Sequence, residues 1–177
     1  CNSLSRIMTT PTPSSPLLRT TLRLGTSFGV LLAALSGMRL LGVYISPLFF
    51  LLYLGLLVYI PIVAFRAARA YRDQNHPTGP YPFMLSFSFV VLLHVFGAIV
   101  ALIPQYFYFR DVAPMLLEPM LTQMRSMKGI GSPAEVEQMI ESIRGISLLQ
   151  WLWTDYCFTI FLGAIWGTIT GLILKRN

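Results

Sequence analysis

Three ionisable side chains stand inside long apolar runs: Arg39, His94 and Asp155. In a low-dielectric medium a lone charge costs a few kcal/mol or more. Such a group therefore pairs, reaches for an interface, or handles protons or substrate. Arg39 and Asp155 fall toward the same level of their runs, which predicts an Arg39–Asp155 ion pair with Thr154 or Thr159 in support. The competing expectation is separate snorkelling to the headgroups. His94 falls near the middle of its run, and no acid shares its depth, so the chain of partners a proton relay needs is missing. The reading is a neutral imidazole bonded to a backbone carbonyl or to a tyrosine on the second run. His76 stands in a polar loop without a ligand set around it, so no zinc site is expected. Five of the eight methionines, Met115, Met120, Met124, Met127 and Met139, share one loop. Soft thioethers suit Cu(I), but no Cys or His accompanies them, and adaptable contact surface is the better reading.

Other chemistry is missing from the sequence. No Walker loop, dinucleotide fingerprint, HExxH or GxSxG occurs, and no Ser or Cys has a His and an acid in reach. No inverted pair of broken helices marks a secondary transporter. The expectation is a chain that is not an enzyme, with no catalytic residue, no metal and no cofactor. Cys157 lies in an apolar run and reads as a small hydrophobe. Cys1–Asn2 would suit the head of a processed lipoprotein, but no cleavage box accompanies it, and the expectation is a start at Met8.

The elements that must position these groups follow from composition. The 177 residues are 55% hydrophobic and 11% charged, with a mean hydropathy of +0.66. A soluble domain carries about 25% charged residues, so this chain needs lipid as its solvent. Residues 1–19 are rich in Ser, Thr and Pro and read as a flexible tail before a single domain over 20–177. Apolar runs predict membrane spans over about 22–44, 47–65, 83–104 and 148–174. Ser46-Pro47 reads as stop and restart, and Pro61 as a kink. The aromatic cluster Tyr106, Phe107, Tyr108, Phe109 suits the headgroup zone at the exit of span three.

Small residues repeat every fourth position in two spans: Gly25, Gly29, Ala33 and Gly37 in the first, Gly163, Gly167 and Gly171 in the fourth. Positions i and i+4 share a helix face, and small residues let helices approach closely in lipid. The expectation is that spans one and four are neighbours, or that one row makes a homo-oligomer. The charges divide by side. The terminal side carries Arg6, Arg19, Arg23, Arg66, Arg69, Arg72, Lys175 and Arg176 against Asp73, net +7. The other carries five basic and six acidic groups, net −1, so the two sides sum to the +6 of the chain. The positive-inside rule then makes both termini and the 66–82 loop cytoplasmic. The basic excess is an orientation signal and calls for no nucleic acid.

Residues 110–147 form the sizeable polar segment. Val136, Met139, Ile140 and Ile143 follow helical spacing behind the capping box Ser132-Pro133-Ala134-Glu135, with Glu137 and Glu141 opposite. Leu116, Leu117, Met120, Leu121, Met124 and Met127 form a second stripe, broken by Pro114 and Pro119. An extracytoplasmic helical hairpin is expected. Its apolar side, Met120, Met124, Met127, Val136, Met139, Ile140 and Ile143, would face membrane, spans or another protein.

The order of these features resembles the bacterial integral-membrane family catalogued as domain of unknown function 4199. The carrying residues are the Gly-spaced first span, Tyr71-Arg72-Asp73 after span two, and the Gly79 to Phe83 stretch that leads into span three. The exit Tyr106–Asp111, the acidic Met- and Gln-bearing hairpin and the closing Lys175-Arg176 complete it, over about residues 20–177. An arginine-heavy inner loop and extra prolines depart from the pattern. The resemblance implies a four-helix bacterial membrane protein and supplies no functional residues.

The expected fold is all-α, a four-transmembrane-helix bundle with the hairpin between helices 3 and 4. It would sit in the cytoplasmic membrane of a bacterium as a multi-pass protein. The expected role is a structural or accessory subunit that meets the lipid bilayer and other membrane-complex subunits. The alternative is a small oligomeric transporter or channel around His94 and the Arg39/Asp155 level.

Overall fold

The computed structural model describes residues 16–126 and 132–176. The helices are α1 (Pro16–Tyr44), α2 (Leu48–Asn75), α3 (Phe83–Phe107), α4 (Ala113–Ser126), α5 (Pro133–Arg144) and α6 (Leu148–Leu174). A π-helical turn, Tyr108–Val112, joins α3 to α4. Four helical stretches are long and apolar enough to cross a membrane: α1, α2, α3 continued through α4, and α6. Among the described residues no strand forms, and a lone backbone bridge ties Tyr81 to Arg176.

The hydrophobic side chains are distributed as lipid requires. On α2, Leu51 is 63% and Val58 66% exposed, and on α6 Leu172 is 57% exposed. Water would not tolerate so continuous an apolar surface on a monomer. A bilayer leaves every backbone polar group to be satisfied within the chain, which long helices do.

The core is built around α3. Phe89, Val90, Leu93 and Ala101 of α3 pack with Phe28 and Leu32 of α1 and with Ala64 and Ala68 of α2. The glycine rows do not meet each other. A Cβ at Gly25 would lie 2.6 Å from Phe96 Cβ, and one at Gly29 would lie 2.9 Å from the Gly97 carbonyl oxygen. From the other side, a Cβ at Gly163 would lie 2.7 Å from His94 Cβ, and Gly167 and Gly171 back onto Phe87 and Phe83. Phe87 and Phe96 are nine positions apart, about 180° around a helix, so α3 presents two opposite faces. The contacts ascend together along α1 and α3, so these run parallel, whereas α3 and α6 run antiparallel.

This corrects the expectation that spans one and four adjoin: no Cα of α1 lies within 8 Å of one in α6. Each row forms a groove, and a groove is filled by a ridge. The ridges are the large side chains of α3. Gly37 does not take part, because nothing lies within 4 Å of where its Cβ would be.

Element boundaries also shift. Residues 16–19 belong to α1 rather than to a tail, and residues 1–15 lie outside the described residues. Helix α2 runs ten residues past the expected end at 65, absorbing Arg66, Arg69 and Arg72. Apolar content marks where a span enters lipid, but a helix continues while its backbone bonds can. Ser46 is not the last residue before α2: Pro47 precedes Leu48, and the Ser46 hydroxyl accepts the Leu48 N–H at 3.3 Å. Helix α6 has the expected bounds, opened by a capping box of Ser147 and Gln150.

Candidate functional site

The polar side chains gather at the two ends of the bundle. At one end the α2–α3 connection clasps the C-terminal residues. Tyr81 and Arg176 exchange backbone hydrogen bonds of 3.0 Å each. The Arg72 guanidinium bonds Asp73 at 2.9 Å and lies 3.5 Å from the Leu174 carbonyl, and Arg176 donates to the Pro77 carbonyl at 3.2 Å. Gly79 turns this connection with φ 98°, a conformation that disfavours side chains.

Between the ends, His94 is 2% exposed. Its Nδ1 lies 2.8 Å from the Val90 carbonyl oxygen, which can only accept, so Nδ1 carries the hydrogen. The Phe28 ring meets the imidazole edge-on at 4.9 Å, and Gly163 covers its Cβ. No tyrosine of α2 is its partner.

At the opposite end lies a cleft of about 570 Å³ between α1, the π turn, α4, α5 and α6. Tyr108, the first residue of the π turn, faces Arg39, whose guanidinium sits 4.2 Å from the ring centroid. Such a cation over an aromatic face is attracted by the ring quadrupole. Phe109 of the same turn stacks on Trp151 of α6 at 5.7 Å. The expected Arg39–Asp155 pair does not form: among the described residues no ion pair within 4.0 Å joins them, although they interact at longer range. The reason is placement, because α1 and α6 flank α3 and Tyr108 takes the position beside Arg39. Thr159 donates to the backbone carbonyl of Asp155 at 2.9 Å, not to its carboxylate.

The hairpin closes the cleft. Arg144 of α5 grips Glu118 of α4 through bonds of 2.7 and 3.2 Å, and Arg125 of α4 grips Glu137 of α5 in the same two-pronged way. Leu121, Val136 and Ile140 are buried between the two helices, with Met124 and Ile143 packed partly against them. Met120 and Met139 remain exposed, and Met127 lies outside the described residues. The Arg125 guanidinium holds the Glu137 carboxyl below its ordinary range. The Ser132 backbone N–H does the same for Glu135, completing the capping box. Among the described residues no group of three or more His, Cys, Asp or Glu converges as a metal site would require.

Sequence reasoning placed Arg39 and the aromatic cluster at this level but did not join them. It also missed Arg144, Glu118 and Trp151 as walls of one cleft. The signal lay in the run Tyr106–Asp111, where four consecutive aromatics encircle a helical turn and an Arg-Asp pair follows.

A family model covers residues 23–176, nearly the whole described chain. The chain belongs to the family described as Protein of unknown function (DUF4199). No curated protein and no solved structure matches it. For this DUF4199 chain, the geometry rather than any relative's chemistry must carry the functional reading.

Proposed function

We propose that the chain is an accessory, partner-binding subunit of a membrane assembly in the cytoplasmic membrane of a bacterium. Both termini would be cytoplasmic, with the α4–α5 hairpin presented outside to other subunits or to a second copy. One observation carries this reading: the interior around α3 is closed by glycine grooves filled with large side chains, while the charged groups collect at the ends. A transport path needs polar groups along its length, and a catalyst needs reactive groups that converge. His94, the polar group an oligomeric channel would use, is already bonded to its own helix and covered by Phe28 and Gly163. The division of charge, +7 against −1, supports the orientation.

The test has two arms. A photo-crosslinking residue at Met139 should capture one defined membrane protein in cells, and the same residue at lipid-facing Leu172 should not. Reconstituted in liposomes, the chain should pass ions no faster than protein-free vesicles. A flux that His94→Leu abolishes would establish the channel reading instead.

A further inference from the structure

We propose that the cleft at the α3–α4 end binds the phosphate-bearing headgroup of an anionic lipid, with an acyl chain against its apolar floor. The recognition begins with the charge inventory. Three arginines line the cleft, and two are engaged: Arg110 by Asp111 at 2.7 and 2.8 Å, and Arg144 by Glu118. Among the described residues Arg39 has no carboxylate partner within 4.0 Å, and its guanidinium lies over the face of Tyr108. A guanidinium covered on its face still offers its N–H edges, and that planar fork fits two phosphate oxygens. Asp155 interacts with Arg39 at longer range without pairing to it, so it opposes an incoming anion.

The depth fits as well. Arg39 lies five residues before the end of α1, about 7.5 Å along the axis, at the level of Tyr108 and Trp151. Aromatic side chains of this kind mark the headgroup zone. The floor decides between a lipid and a free ion. Leu117, Met120, Ile143 and Leu148 line it, and about 570 Å³ is far more space than one phosphate occupies. Apolar walls beside one arginine free of a carboxylate match an amphiphile. The site depends on the bilayer reading but not on a protein partner. Crosslinking at Met139 and lipid retention can therefore fail separately.

The experiment uses the full chain in neutral maltoside detergent and counts retained lipids by native mass spectrometry. Phosphatidylglycerol should be kept over the phosphate-free diacylglycerol of the same chains by about tenfold, a preference of one charge-assisted contact. Arg39→Gln should abolish that preference, and Asp155→Asn should strengthen it. Met120→Trp, which fills the floor and leaves Arg39 in place, should weaken retention of both lipids. Should Arg39→Gln not fold, the other two variants decide. Three results would overturn the proposal: equal retention of the two lipids by the native chain, a preference unchanged in Arg39→Gln, or displacement of phosphatidylglycerol by millimolar inorganic phosphate, which would make the ligand a free anion.

Discussion

Among the small residues, seven share a spacing but not a task. Gly163 sits so close to His94 that a Cβ would meet its Cβ at 2.7 Å, and that atom is fixed to the α3 backbone. Overpacking at such a contact costs about 1–3 kcal/mol, so Gly163→Leu should lower stability by about that amount in detergent unfolding. Gly37 has open space, and its substitution relieves only the helix penalty of glycine. Gly37→Ala should therefore be neutral or stabilising by up to about 1 kcal/mol. A comparable loss at both positions would show that Gly37 has a partner in an oligomer.

At the level of elements, the hairpin is the part whose order depends on charge. Its apolar cluster is small, and two Arg–carboxylate pairs set the register of α4 against α5. The Glu137 carboxyl is held below its ordinary range in the folded chain. A group with a depressed folded pKa contributes stability above its unfolded pKa and loses it as pH falls. Hydrogen exchange in α5 should therefore quicken as pH falls below about 4, after correction for the intrinsic rate, while α3 stays protected. The rise should shrink in Glu137→Gln. Ile140, fully buried between the helices, supplies the apolar half of the same contact. Ile140→Ala should loosen α5 at neutral pH by about 2 kcal/mol, the low end for a core truncation because the site is small.

For the molecule as a whole, α3 separates α1 from α6, and this has an energetic signature. Gly25→Ala and Gly167→Ala touch Phe96 and Phe87 on opposite faces of α3, so their stability losses should add within about 0.5 kcal/mol. Strong coupling would mean that the rows meet after all. The orientation has its own check. In a chain without native cysteines, Gln138→Cys should react with an impermeant maleimide from outside the cell. Thr78→Cys, in the clasp with the C-terminal end, should react only after the membrane is opened. The reverse pattern would invert the topology and place the lipid cleft in the inner leaflet.

Four apolar stretches, a capped amphipathic α5 and the sidedness of arginine are all local properties, and each could be read from neighbouring residues. The bounds of α6 and the Ser132–Glu135 capping box came through for that reason. Partnership is not local. A glycine row states that something approaches closely and says nothing about what, so the ridges of Phe96, His94 and Phe87 emerged only when α3 took the centre. Arg39 likewise announced a need for a partner at its depth, and several side chains could have met it. Tyr108, where α3 passes into the π turn, met it, because α3 and not α6 lies beside α1.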